Sequence, residues 1–282
     1  MPHTTHTRPL APMLALCLVP IMRILSADAH NYLLFTAGAL SSLIIDGFLI
    51  ALINSAKRPQ NLPRPLYAVT ALFFLAASAY AVGELVRVSG FLSQHRTGEV
   101  LISLPLILAG LYAASLSYGA QSRLSAAVLL TVTAVYGVTV LMALKNGTLS
   151  NLHIYSPKPI DDAASGFLSG AVTAFPALYY LLARISGSER VSAGRFVLFK
   201  GGLMLLFTLP VIFVLGEHIR YSKLPAYDLA AFSKSVVIER FNGLYVLILT
   251  LASALMTALG LGGARVCLAR IIRERSVPRE KA

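Results

Sequence analysis

The chain has 282 residues, 56% of them strongly apolar and only 13% charged, with a formal net charge of +12. A water-soluble domain spends about a quarter of its residues on Asp, Glu, Lys and Arg, so this composition excludes an ordinary soluble enzyme and makes the bilayer the solvent. The positive excess is what basic cytoplasmic loops and anionic lipid headgroups account for, and with no basic stripe interleaved with aromatics it does not point to nucleic acid.

Apolar runs bounded by charge, Pro and Gly predict about eight spans, near 10–25, 30–53, 66–88, 100–118, 122–144, 166–185, 196–216 and 241–264. Residues 1–265 then form one all-α transmembrane domain, with 266–282 as a basic cytoplasmic tail. In the first run, Pro20 and Arg23 suit a discontinuous membrane helix. Arg8, the apolar stretch from Leu10 to Met22 and Ala27-Asp28-Ala29 also fit a cleavable secretory signal.

The second run carries Asp46, about 10 Å from its inner end at a rise of about 1.5 Å per residue. Left ionised against lipid it would cost about 3 kcal/mol, so it must face protein or water. Ser42, one turn away, extends a polar stripe on the same face, whose plainer role is a structural hydrogen bond. At the outer end of span three, Glu84 and Arg87 are three apart and can pair at headgroup level.

The connections 54–65 and 145–162 hold proline, Asn-Gly and basic residues and read as loops. Next, Gly166-Phe-Leu-Ser169-Gly170-Ala-Val-Thr173-Ala-Phe175-Pro176 packs two glycines, two hydroxyls and a proline into the first half of span six. A helix loosened there has N–H and C=O groups that can hold a small zwitterion. Equally, Gly166 and Gly170 are spaced for close helix packing. The mixed stretch from Glu217 to Arg240 predicts a short interfacial helix, and Glu239-Arg240 anchors the start of span eight.

Assigning the 24 Lys and Arg to alternate sides puts fifteen on the side of the N-terminus, Lys200 among them, and nine on the other. Both termini are therefore expected in the cytoplasm. Cys17 and Cys267 lie at opposite ends of the chain, the six histidines are scattered, and no HExxH, CxxC, GxxxxGK[ST] or GxSxG motif is present. No metal site, cofactor or enzyme activity is indicated.

Several stretches in order carry a resemblance to a known family. They are Tyr118-Gly-Ala-Gln-Ser-Arg123-Leu124, Asn151-Leu152 with Pro157, Gly166 to Pro176, Leu224-Pro225, and Val237-Ile-Glu239-Arg240-Phe-Asn, with Glu84 at the end of helix three. Together, from about residue 10 to 265, they resemble the spore germination permease family. This is the B subunit of nutrient germinant receptors, a branch of the amino acid/polyamine/organocation transporter superfamily. Two departures stand out. Cys17-Leu-Val-Pro20 replaces a glycine-rich break in the first helix, and eight spans stand where the fold has two five-helix inverted repeats.

The resemblance implies a shortened inverted-repeat amino-acid-transporter-like bundle, multi-pass in the cell (inner spore) membrane. It implies a nutrient-sensing subunit that works with other germinant receptor subunits and membrane lipids, without a cofactor. An amino acid would bind between broken helices one and six, with Leu18, Pro20 and Met22 on one side and Ser169, Gly170, Thr173, Phe175 and Tyr179 on the other. Backbone groups would hold its carboxylate and amine, and Phe175 and Tyr179 would close over its side chain. Asp46, Glu84, Arg123, Glu239 and Arg240 are the charges expected to serve coupling or structure. Two alternatives remain open: an amino acid/cation secondary transporter with Asp46 or Glu84 in a proton path, and a structural membrane subunit with a degenerate pocket.

Overall fold

Long apolar runs have few stable forms in lipid, because every backbone N–H and C=O must be paired without water. The computed structural model describes residues 10–27, 32–56, 63–93, 99–152, 167–168, 170–171, 176–185, 190–233 and 242–275, and among these there are helices, turns and no strand. The main helices in chain order are α1 (Leu10–Leu25), α2 (Tyr32–Ser55), α3 (Arg64–Ser93), α4 (Glu99–Ser115) and α5 (Tyr118–Ala143). They are followed by α6 (Pro176–Ile185), α7 (Ala193–Leu215), α8 (Pro225–Phe232) and α9 (Asn242–Arg275).

The predicted spans overlap these helices among the described residues, the sixth only over Pro176–Ile185, and α8 lies outside the predicted spans. Five of them, α2, α3, α5, α7 and α9, contain segments long and apolar enough to cross a membrane. The chain is an all-α polytopic membrane protein. One expectation changes. The break predicted at Pro20 and Arg23 is absent, for α1 runs without interruption from Leu10 to Leu25 with Pro20 inside it. Proline removes one i→i−4 bond and crowds the turn before it, but buried Cys17, Ile21, Ile24 and Leu25 hold the helix against its neighbours.

The bundle is organised around α1, which touches α5, α6, α7 and α9, while α2 lies along α7 and α9 lies along α3 and α4. Small residues allow the last of these contacts: a Cβ on Gly260 would lie 2.7 Å from the Phe74 carbonyl oxygen. Beside it Ser78 Oγ donates to the Thr257 carbonyl at 3.3 Å. Glycine here brings two helix backbones together where lipid supplies no hydrophobic drive to do so. The outer surface carries Ile44, Phe48, Leu72, Tyr112, Leu141 and Leu198, all more than 65% exposed, which is the lipid-facing band an apolar solvent requires.

Polar side chains close the turns. Ser117 caps α5 by accepting from the Ala120 amide at 3.4 Å, and Gln121 Nε2 donates to the carbonyls of Ala113, Ala114 and Leu116. These satisfy the orphan acceptors at the end of α4. The short α8 does more than lie at an interface, since Pro225, Ala226, Leu229 and Ala230 are buried against α5, α7 and α9. Before it, Gly216 ends α7 at φ 50°, where an added Cβ would meet the Asn151 side chain at 2.6 Å.

Candidate functional site

Asp46 and Ser42 lie on the buried face of α2, both 0% exposed, as one turn of separation and the cost of a carboxylate against lipid require. The group they meet was not among the predicted site residues. Lys200, eight residues into α7 and also 0% exposed, pairs with Asp46 through Nζ and Oδ2 and donates to Ser42 Oγ at 2.8 Å. Lys200 therefore leaves the cytoplasmic charge count and becomes an interior residue. That count still favours the same side by a wide margin.

Around the pair the elements converge. α1 packs on both α6 and α7, with Cys17 buried in it. The pair joins α2 and α7 by charge. Asp46 Oδ1 still has no full hydrogen-bond partner among the described residues, which leaves one acceptor of a buried carboxylate open.

Tyr179 is on the same short helix and packs against α3, with its ring 4.9 Å from that of Phe74 and 6.5 Å from that of Phe73. Its hydroxyl is buried, and no partner for it is present among the described residues. A buried hydroxyl left unpaired is costly and marks a place where a further polar group belongs. Tyr180, one position on, is fully satisfied: its hydroxyl donates to Asn54 Oδ1 and accepts from the Val191 amide at 3.0 Å. Asn54 Nδ2 in turn donates to the Val191 carbonyl at 2.9 Å, so the end of α2, α6 and the residues just before α7 are tied together.

At the other end of α1 a second charged group is assembled. Glu84 and Arg87 pair at 2.8 Å, as their spacing predicts, and Arg23 of α1 reaches both Glu84, at 3.9 Å, and the Tyr80 hydroxyl. Arg87 also donates to the Ser26 carbonyl at 2.6 Å, and Tyr245 donates to the Leu25 carbonyl at 2.7 Å. The residue read as a helix breaker is thus an anchor that fastens α1 to α3.

The remaining predicted site residues are placed as follows. Pro20, Met22 and Gly170 are buried, Arg123 is exposed on α5, and Leu18 lies in α1 with its side chain outside the described residues. Ser169, Thr173, Phe175, Glu239 and Arg240 also lie outside them. Gly170 lies directly on α2, where a Cβ would meet the Phe35 carbonyl oxygen at 2.0 Å. Sequence reasoning missed Lys200 because its partner is 154 positions away, although a lone lysine inside an apolar run opposite a lone aspartate in another is the signal that links them.

A family model described as a spore germination protein matches residues 50–277, which takes in the sequence from the end of α2 to the end of α9. Among curated proteins none matches the chain.

Proposed function

Because the chain belongs to the spore germination permease family, we propose that it is the membrane-embedded nutrient-sensing subunit of a germinant receptor, which takes an amino acid between α1 and the start of α6. It is a membrane protein of germination with a permease-like character. The finer reading is supported by one observation above the others: α6 opens with a buried hydroxyl, on Tyr179, that has no partner among the described residues. A ligand's polar group would satisfy it.

On this reading Pro20 and Met22 of α1 line one side, and the segment from Ser169 to Phe175 the other. Differential affinity for two arrangements of the bundle then shifts a partner subunit. The catalytic motifs absent from the sequence are not required for this, since nothing is chemically transformed. We place both termini in the cytoplasm and the eight spans in the membrane of the cell or inner spore.

The test is the full chain, purified in detergent and heated with each of the twenty proteinogenic L-amino acids. At least one should raise its melting temperature, and Tyr179→Phe should weaken that ligand about tenfold at unchanged abundance, the size of one hydrogen bond to a polar group. No shift with any of them overturns the reading. The buried Asp46 favours a second reading, an amino acid/cation secondary transporter. Accumulation or counterflow of the bound amino acid in proteoliposomes would establish it.

A further inference from the structure

Where α5 ends, its exposed face changes character. Ala134, Val138 and Leu141 are exposed at spacings of four and three, so they form one apolar stripe along the helix. The next step of four reaches Lys145, exposed in the 3₁₀ turn Leu144–Asn146 that follows α5. Beyond it stand Asn146, Thr148 and Ser150, all exposed and polar. A lysine at the end of an apolar stripe, followed by polar residues, sits where hydrocarbon gives way to headgroups.

At that level lies a cavity of about 590 Å³, lined by Lys145, Asn146, Ala231 and Phe232. Hydrogen bonding and close packing fix its walls. Asn146 Nδ2 donates to the Phe232 carbonyl at 2.7 Å, which ties the end of α8 to the end of α5. Behind the turn, a Cβ on Gly147 would lie 2.1 Å from the Phe213 ring, so the backbone after Lys145 is seated against α7. The lining offers a cation, an amide, a methyl group and an aromatic ring, and none of the described lining residues is acidic.

We propose that this cavity binds the headgroup of an anionic phospholipid such as phosphatidylglycerol, with Lys145 on the phosphate and one acyl chain lying along Leu141, Val138 and Ala134. A small soluble anion would use the lysine and leave the stripe uncovered. A zwitterionic lipid would cover the stripe but set its own cation against the lysine. An anionic amphiphile suits both features at once. Bound there, the lipid bridges α5 and α8, since both supply the walls.

The test is native mass spectrometry of the full chain, purified in detergent and titrated with phosphatidylglycerol or with phosphatidylcholine of the same acyl chains. Wild type should hold one phosphatidylglycerol about fivefold more tightly than phosphatidylcholine, the worth of one lysine near a lipid surface. Lys145→Gln should remove that preference, and Arg123→Gln, at the other end of α5, should leave it unchanged. Leu141→Gln should weaken both lipids alike, since it interrupts the acyl path and leaves the charge. All three positions are exposed, and size exclusion reports folding.

The proposal is overturned by equal affinity for the two lipids in wild type, by a preference that survives Lys145→Gln, or by one lost equally in Arg123→Gln. Wild-type binding of both lipids by Leu141→Gln overturns it too. Displacement of the lipid by inorganic phosphate at a matching concentration would reveal a small-anion site in its place, and the proposal would fall.

Discussion

Gly38 of α2 and Gly170 meet backbone to backbone: a methyl group on Gly38 would lie 2.0 Å from the Phe167 carbonyl oxygen, and one on Gly170 2.0 Å from that of Phe35. Carbonyl oxygens of helices cannot step aside as a side chain can. Gly38→Ala and Gly170→Ala should therefore each destabilise the protein by about 3 kcal/mol or more. Gly83→Ala and Gly90→Ala on α3, where an added Cβ meets nothing within 4 Å, should be neutral or stabilising by up to about 1 kcal/mol. Thermal melts in detergent compare the four, and a Gly170→Ala protein as stable as wild type would refute the contact.

Removing one member of the buried pair should be far worse than removing both. Lys200→Met alone strands a carboxylate and should cost about 3 to 5 kcal/mol, visible as lost folded protein on size exclusion. Asp46→Leu added to it should recover most of that yield. Lower yield in the double than in the single variant would contradict this expectation.

Pro210 lies inside α7, and Tyr136 donates to the nearby Phe207 carbonyl at 2.7 Å while its ring stacks on that of Phe207 at 4.2 Å. Proline removes a donor from this turn and leaves carbonyls to be satisfied from outside. Tyr136→Phe should cost about 1 kcal/mol. In a Pro210→Ala background the same substitution should cost less, and a double-mutant cycle on melting temperatures measures the difference. Additive effects would show that the hydroxyl does not serve the proline turn.

The proposed topology places the end of α2 inside and the end of α5 outside. With Cys17 and Cys267 replaced by serine, Asn146→Cys should react with an impermeant maleimide on intact cells. Ala56→Cys should react only after permeabilisation; both positions are exposed. The opposite pattern would invert every span.

Most helix positions were legible because an apolar run long enough to cross lipid has so few alternatives. Asp46 was legible for the same reason, as a charge that lipid forbids. What could not be read were relations between distant segments. Lys200 counts as a loop charge in a tally made along the chain, since a single lysine hardly lowers the hydropathy of a 23-residue helix. Arg23 reads as a break because its partners, Tyr80 and Glu84, lie on α3. Pro20 looked disruptive for want of the packing around α1. For Gly170 the packing reading depends on what lies opposite, and that is the backbone of Phe35 and Ala39, more than a hundred residues earlier.

At 34 residues α9 extends about 51 Å, against about 30 Å of hydrocarbon. Its final turns carry Arg265, Arg270, Arg273 and Arg275, and Arg265 holds the Ser115 carbonyl at 3.3 Å. The helix packs along α3 and α4 and is about 20 Å longer than a hydrocarbon layer needs. The four arginines at its end match anionic headgroups rather than acyl chains.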